Sequence, residues 1–106
     1  MKHWKIDYWS EKGKKSPVEK WLDSLTVDQL KAVTKGVKLL EMLGNELRMP
    51  HSFPLGEGLF ELRERHYGYR VYYGFRGNHL IILIASGDKS SQERDIKIAR
   101  QRLARL

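Results

Sequence analysis

The chain has 106 residues, a length that allows one domain with one hydrophobic core. Lysine and arginine outnumber the acidic residues 20 to 13, and the resulting net charge of +7 favours a polyanionic partner such as RNA. The absence of cysteine excludes disulfide bonds, thiol catalysis and cysteine-ligated zinc.

The N-terminal half predicts a strand followed by a helical hairpin. Residues 3–9 alternate apolar and polar side chains, as a half-buried strand requires. Ser16 and Pro17 form a helix entry, because the hydroxyl caps free backbone amides and the proline needs no donor there. Thr26 caps a second helix, which continues at helical spacing until Gly44 supplies a left-handed stop. The two helices are therefore expected to pack as a hairpin.

The C-terminal half predicts three strands. Residues 45–58 contain two prolines and two glycines, so we expect a long irregular loop between the hairpin and the sheet. Strands follow at residues 60–63, 69–76 and 80–85, and the short turns between them predict antiparallel pairing. The last of these strands is apolar on both faces, which is typical of a central strand that is covered on both sides.

A final helix begins near Ser91. Its buried stripe is predicted to consist of Ile96, Ala99, Leu103 and Leu106. The complete order is β-α-α-β-β-β-α, an α+β fold with a mainly antiparallel sheet, an N-terminal helical hairpin and a C-terminal helix. No composition break marks a second unit, so residues 1–106 are expected to form a single domain. No stretch has the apolar length of a signal peptide or a membrane span, and we therefore expect a cytoplasmic protein.

Strand alternation places a row of arginines on one outward face of this sheet. The row consists of Arg63, Arg65, Arg70 and Arg76, with Tyr72 among them, and Lys89 and Gln92 follow the last strand. Guanidinium groups bind phosphate through paired hydrogen bonds and tyrosine stacks on bases, so this face predicts an RNA-binding surface. The alternative is a solvated face kept soluble by charge, on which Glu61 and Glu64 form exposed ion pairs with their arginine neighbours.

The chain lacks the motifs of metal-dependent and nucleotide-dependent enzymes. It has no Gly-rich phosphate loop, no HExxH and no serine nucleophile elbow, and its four histidines are scattered along the chain. We therefore expect neither a metal nor a cofactor. RNA is cleaved without metal when a 2′-hydroxyl attacks its own phosphate and cations neutralise the charge that develops. His66 and Lys89 are the candidates for the proton transfers in such a reaction.

Three ordered blocks of the C-terminal half resemble one known family. The strand LFELR holds Glu61 and Arg63, the strand GYRVYY holds Arg70, and the block SGDKSSQERDI holds Lys89, Gln92 and Asp95. With these blocks the chain resembles the RelE/ParE toxin superfamily, and especially its HigB-like, phage-derived Gp49-like branch of addiction-module killer proteins. The match spans most of residues 54–102, and the order of the N-terminal helices is consistent with it.

The resemblance implies both an activity and a set of partners. RelE-like and HigB-like toxins dock in the ribosomal A site, cleave translated mRNA without a metal and are neutralised by a co-expressed antitoxin. The resemblance therefore implies the toxin of a type II toxin-antitoxin system, a ribosome-dependent mRNA endonuclease that inhibits translation. Its implied partners are the ribosome, mRNA and a helix-turn-helix antitoxin of the HigA-like type, with no cofactor and no membrane.

Roles for individual residues follow from the same resemblance. Arg70 is implied as the phosphate or transition-state ligand, and Arg63 and Lys89 complete the implied catalytic set. Contacts with RNA are assigned, from the charged sheet face and the basic last helix, to Arg65, Tyr72, Arg76, Gln92 and Arg94. Glu61 and Asp95 stand where RelE places a lysine and a tyrosine, so the RelE pattern does not supply the acid and base. His66 and Asp95 are the candidates for those two roles.

Two other functions stay open at this point. ParE-like toxins resemble this fold but poison DNA gyrase without cleaving RNA, and some of them carry arginines in the same strand. An inactive module that retains only its affinity for an antitoxin is the second alternative. New mRNA 5′ ends, trapped gyrase complexes and undisturbed growth are the three outcomes that distinguish these functions.

Overall fold

In the computed structural model, which describes residues 3–106, one sheet carries helices on both of its faces. The helices are α1 (Pro17–Asp23), α2 (Val27–Leu43) and α3 (Gln92–Leu103), and 3₁₀ turns at Gly44–Glu46 and Lys89–Ser91 adjoin α2 and α3. The strands are β1 (Lys5–Tyr8), β2 (Ser52–Gly56), β3 (Leu59–Glu64), β4 (Tyr69–Arg76) and β5 (Leu80–Asp88). Their order across the sheet is β1-β5-β4-β3-β2, and only the β1-β5 pair among these described strands is parallel.

The predicted α+β class is confirmed, but the sheet gains a strand where an irregular loop was expected. Strand β2 lies inside residues 45–58 and pairs antiparallel with β3 at the sheet edge. An edge strand tolerates Pro54 because the missing donor can face away from its neighbour, and the pairing shifts register between Pro54 and Gly56. Proline and glycine therefore gave this segment the composition of a loop, although its backbone pairs as a strand.

The helical hairpin begins and ends where the sequence predicts. The Ser16 hydroxyl accepts a hydrogen bond from the Glu19 amide, and Thr26 and Gln29 form a reciprocal capping box at the start of α2. Helix α2 ends at Gly44, whose φ of +52° favours glycine. A Cβ at Gly44 would lie 1.9 Å from Trp4 Nε1, so close packing against the indole also requires glycine there.

The sheet separates two hydrophobic clusters. One cluster lies between the sheet and the hairpin and contains Val18, Val33, Leu40, Leu62, Val71, Tyr73, Ile81 and Leu83. The other lies between the sheet and α3 and contains Trp9, Leu59, Tyr72, Ile82, Ile84, Ala85 and Ala99. Strand β5 contributes to both clusters, which confirms its predicted place as a central strand with two covered faces.

The predicted outward face of the sheet is therefore not open. Helix α3 packs its Ile96, Ala99 and Leu103 stripe against that face, as the helical spacing predicts. Leu106 was predicted to continue the stripe, but it is exposed because α3 ends at Leu103. What remains accessible on this face lies at the ends of the strands, and this determines where a polyanion can reach the arginines.

Candidate functional site

A small cleft opens at the sheet end where β3 turns into β4 and where β5 ends. Its volume is about 290 Å³, and its lining consists of Arg63, Glu64, Arg65, Gly68, Arg70 and Lys89. We call it the basic cleft, because four of its six lining residues carry a positive charge. The structure thus brings together the three residues predicted to be catalytic, Arg63, Arg70 and Lys89, with Arg65 beside them.

Strand register explains how the basic cleft is assembled. Arg63 on β3 lies directly opposite Arg70 on β4, and Arg70 is paired on its other side with Gly87 of β5. Lys89 follows the end of β5, in the 3₁₀ turn that leads into α3. Because like charges that face each other across an antiparallel pair repel, this arrangement requires a compensating negative charge.

Glu61 supplies that negative charge from beneath the arginines. Its Oε1 accepts a hydrogen bond of 2.6 Å from Arg63 Nε, and its Oε2 lies 3.7 Å from Arg70 Nε. Gln92 Nε2 of α3 donates to the same Oε2 at 2.9 Å. The expectation that Glu61 forms an exposed surface ion pair is wrong, since the residue is 0% exposed. Its burial follows from α3, whose position over the sheet could not be derived from strand alternation.

Arg63 and Arg70 line the basic cleft and keep terminal nitrogens that are not all engaged. Arg63 lies over the Phe53 ring, with its Cζ 3.8 Å from the ring centroid, and within residues 3–106 its terminal nitrogens make no hydrogen bond. Arg70 donates from one terminal nitrogen to the Gly68 carbonyl at 3.0 Å, while its buried Nε has no hydrogen-bond partner in that same range. Both side chains therefore retain donors that an anion can use.

The Lys89 turn is fixed by its own cap. Asp88 Oδ1 accepts hydrogen bonds from the Ser90 hydroxyl at 2.5 Å and from the Ser90 amide at 2.9 Å. The Ser90 hydroxyl, followed by the backbone amides of Ser90 and Ser91 and the charge of Arg70, lowers the pKa of Asp88 below its usual value. Asp88 therefore acts as the cap at the start of the last helical segment and holds the turn that carries Lys89.

Tyr72 is not available as a base-stacking residue, and the expectation that it faces outward is wrong. The ring is 0% exposed in the cluster under α3. Burial first, and then the nearby Glu61 carboxylate, raises the pKa of Tyr72 far above its usual value. Its hydroxyl is buried without a hydrogen-bond partner among the described residues. Alternation identified the correct face of β4, but α3 covers that face.

Arg76 lies at the other end of β4 from the basic cleft. It is paired with Leu80 at the start of β5, whereas Arg70 is paired with Gly87 near its end. The two arginines are six residue steps apart along the strand, which corresponds to about 20 Å. Arg76 therefore lies outside the basic cleft, and because the side chain is exposed, a contact with RNA elsewhere on the surface stays a prediction.

The two acid and base candidates do not line the basic cleft. His66 is exposed in the β3-β4 turn, where its ring packs edge-on against Tyr67. Asp95 is buried in α3, and its Oδ2 accepts a hydrogen bond of 2.5 Å from the Ser91 hydroxyl. Asp95 also packs against Gly87, where a Cβ would lie 2.0 Å from that oxygen. Its observed contacts join α3 to β5.

The remaining predicted RNA ligands lie around the cleft. Arg65 is exposed, and its contact with the Pro50 carbonyl at 3.4 Å is long for a hydrogen bond. Gln92 is engaged with Glu61, and Arg94 is exposed on the first turn of α3. Of these three residues, Arg65 alone is part of the cleft lining.

A second groove lies on the opposite face of the sheet, between α2 and β3. Its volume is about 480 Å³, with an apolar floor that includes Leu39, Leu62 and Val71. Basic residues Lys31, Lys35, Arg63 and Arg65 stand at its edges, together with His66. We call it the α2 groove. Arg63, Glu64 and Arg65 line both the α2 groove and the basic cleft, so the two sites share a wall.

The described part of the chain offers no grouping of three or more histidine, aspartate or glutamate side chains that could hold a metal ion. Among the same residues, no helix has both the length and the apolar character needed to cross a membrane.

Comparisons with known proteins identify the family of this chain. A model of the family described as phage derived protein Gp49-like matches residues 20–104. An uncharacterized protein of Haemophilus influenzae is 47% identical over 47 residues, an alignment that covers 43% of this chain and 48% of that protein. The chain thus spans about half the length of this curated relative.

A solved structure resembles the fold of most of this chain. It is the crystal structure of the isolated RelE toxin of E. coli, which superposes with a TM-score of 0.55 over 90% of this chain and 98% of that one. The identity between the two sequences is 18%. At this level the similarity shows a shared fold, and the chemistry has to be argued from the residues themselves.

Proposed function

The chain belongs to the phage-derived Gp49-like family, within the RelE/ParE toxin superfamily, and on this basis we propose that it is the toxin of a type II toxin-antitoxin pair. We propose further that it is a metal-independent, ribosome-dependent endoribonuclease that cleaves mRNA. The observation that carries this proposal is the convergence of Arg63, Arg65, Arg70 and Lys89 on one cleft. An extended RNA strand can enter such a cleft because it lies at the end of the sheet.

In the proposed reaction, a ribose 2′-hydroxyl gives its proton to a water molecule, and its oxygen attacks the adjacent phosphorus. The bond from phosphorus to the 5′-oxygen breaks, the 5′-oxygen takes up a proton, and a 2′,3′-cyclic phosphate remains. Negative charge grows on the non-bridging oxygens, where the terminal nitrogens of Arg63 and Arg70 would stabilise it. Lys89 lines the cleft and His66 does not, so we assign protonation of the leaving oxygen to Lys89.

The remaining basic residues would bind and orient the RNA. Arg65 stands at the cleft wall and can hold a neighbouring phosphate. Arg94 extends the positive surface along α3, on the side from which ribosomal RNA could contact the protein. These contacts would set affinity and register, whereas the two facing arginines would act on the scissile phosphate.

For the antitoxin partner, the α2 groove has the matching chemistry. Its apolar floor and basic edges suit an amphipathic, acidic segment of the partner. Because Arg63 and Arg65 also line the basic cleft, a segment held there would engage the arginines that RNA needs. A helix-turn-helix protein encoded beside this chain would be the expected antitoxin.

Inducible expression in bacteria tests the proposed activity, with Arg70→Ala as the variant and Arg76→Ala as its matched control. Each substitution removes one exposed or partly exposed positive charge from β4, but only Arg70 lines the cleft. The wild type and Arg76→Ala should arrest translation and yield new mRNA 5′ ends. Arg70→Ala should lower the cleavage rate by about 100-fold to 1,000-fold, as for loss of a transition-state donor.

Other outcomes would replace this proposal. Trapped gyrase complexes and DNA damage without new mRNA ends would assign the chain to gyrase poisoning. Undisturbed growth with the wild-type protein would leave a module that binds only its antitoxin. Equal cleavage by Arg70→Ala and the wild type would remove the basic cleft from the mechanism.

A further inference from the structure

Glu61 has contacts that the proposed chemistry does not use directly. It is fully buried, yet its two oxygens meet Arg63, Arg70 and Gln92 from three different elements. A carboxylate removed from water stays ionised only when cations and donors replace its hydration. Here the replacements are two arginines of the basic cleft, so the buried charge and the cleft are built together.

The contacts are made to a particular edge of each guanidinium. Glu61 faces Nε of both Arg63 and Arg70, at 2.6 Å and 3.7 Å. Because a guanidinium is planar and rigid, the hydrogen bond at Nε fixes the direction of the Arg63 terminal nitrogens. Among residues 3–106, Arg70 Nε makes no hydrogen bond, so Glu61 acts on Arg70 through its charge, while the Gly68 carbonyl holds one of the Arg70 terminal nitrogens. Both side chains line the basic cleft, and their terminal nitrogens are the groups left to meet a phosphate there.

We propose that Glu61 is the positioning residue of the basic cleft, an inference that rests on the proposed function. Glu61 holds the guanidinium groups of Arg63 and Arg70 side by side, so that both engage one phosphate. Without this carboxylate the two facing cations would repel each other and rotate apart. Glu61 itself touches no RNA, because it lies beneath the arginines and is closed off from solvent.

Gln92 connects this arrangement to α3. Its side-chain amide donates to Glu61 Oε2, the oxygen that faces Arg70, and Arg70 Nε is left without a hydrogen bond. The position of α3 therefore determines how much of Oε2 is available to Arg70. Removing the Gln92 amide should allow Arg70 Nε to approach Oε2 directly.

A phosphate titration tests the proposal without relying on RNA cleavage. The variant is Glu61→Gln, which keeps the shape and removes the charge, and the control is Asp23→Asn, which removes the charge of an exposed ion pair with Lys15. Inorganic phosphate should shift the Nε–Hε resonances of Arg63 and Arg70 together in the wild type and in the control. In Glu61→Gln the affinity for phosphate should fall about tenfold, the effect of releasing two ordered side chains.

Net charge alone predicts the opposite result, which makes the titration decisive. Glu61→Gln adds one unit of positive charge and would tighten phosphate binding if only the total charge mattered. Phosphate affinity that is equal to or greater than that of the wild type would overturn the proposal.

Cleavage kinetics add a readout that a purely structural role would not change. Per folded molecule, Glu61→Gln should lose about 100-fold in kcat, as for a displaced catalytic group, while KM for programmed ribosomes changes less than about threefold. If Glu61→Gln lowers only the fraction of protein that folds, and kcat per folded molecule stays normal, then Glu61 has a structural role and the proposal fails. Wild-type protein without any cleavage would refute the nuclease, but the phosphate titration would still decide the role of Glu61.

A second variant keeps the proposal testable if Glu61→Gln does not fold. In Gln92→Ala, Arg70 Hε should move downfield and exchange more slowly with water, because Nε gains Glu61 Oε2 as an acceptor. An unchanged Arg70 Hε resonance in this variant would contradict the claim that Glu61 holds Arg70.

Discussion

Three side chains show how the local environment sets the role of a polar group. The Asp88 carboxylate is exposed and caps a turn, whereas the Glu61 carboxylate is buried and joins two arginines. The Tyr72 hydroxyl is also buried, but unlike the Glu61 carboxylate it has no hydrogen-bond partner in the described part of the chain. Residue type alone does not distinguish these two carboxylates.

The cap at Asp88 predicts a specific response to pH. The Ser90 hydroxyl is the largest cause of the lowered pKa of Asp88, so Ser90→Ala should raise that pKa toward 3.8. Since the folded value is the lower one, the cap stabilises the fold above pH 3.8, and its contribution is lost as the pH falls through the folded pKa. Titration of the Asp88 carboxyl carbon by NMR in both proteins measures the change, and coincident midpoints would contradict it.

Tyr72→Phe tests whether the buried hydroxyl contributes to stability. A hydroxyl that is buried without a partner loses its hydration and gains no bond in return. We therefore expect the free energy of unfolding to stay within about 1 kcal/mol of the wild-type value or to rise, and mRNA cleavage to be unchanged. Urea unfolding measures the stability. A loss of about 2 kcal/mol or more would mean that the hydroxyl donates to a partner such as Glu61.

At the scale of elements, the sequence was informative wherever one local signal decided the structure. Ser16, Thr26 and Gly44 mark the ends of the hairpin helices correctly, and the doubly apolar β5 indicates its central place. Strand β2 was missed because its pairing with β3 is a tertiary contact without a local pattern. The covering of the arginine face by α3 was missed for the same reason, and it is what buries Glu61 and Tyr72.

Two glycines in different elements should respond oppositely to an added methyl group. At Gly36, inside α2, a Cβ would meet Leu62 at an ordinary 3.5 Å, so Gly36→Ala should raise the free energy of unfolding by about 0.5–1 kcal/mol. At Gly87 a Cβ would lie 2.0 Å from Asp95 Oδ2, and Gly87→Ala should destabilise the protein by displacing α3. Denaturant unfolding of both variants measures the difference. Equal effects would show that α3 does not approach β5 as closely as described.

For the whole molecule, sequence blocks predicted the family and the strand arginines predicted the basic site, but the extent of that site depended on three-dimensional packing. Arg63, Arg65, Arg70 and Lys89 converge because paired strands and the end of β5 bring them to one corner. Arg76 belongs to the same strand as Arg70 and was grouped with it from the sequence. Strand alternation predicts the face on which each side chain lies, but it does not say how far apart two side chains are along the strand.

The number of cations in the basic cleft predicts how the affinity for RNA depends on salt concentration. With four cations in the basic cleft, the slope of log affinity against log salt concentration for single-stranded RNA should be about −3. Arg65→Ala should reduce its magnitude by about 0.7, the contribution of one phosphate contact. Fluorescence anisotropy with a short, non-cleavable 2′-deoxy oligonucleotide measures both slopes. A slope near zero would place RNA recognition outside the cleft.

The parallel pairing of β1 with β5 has a consequence for synthesis of the protein. Residues 5–8 are made early, yet their hydrogen-bonding partners are residues 80–83, and Lys89 and Gln92 follow only after these. A nascent chain that stops before β5 lacks both the partner of its first strand and one side of its cleft. The first strand therefore cannot pair, and the basic cleft cannot gain Lys89, until residues 80–89 have been made.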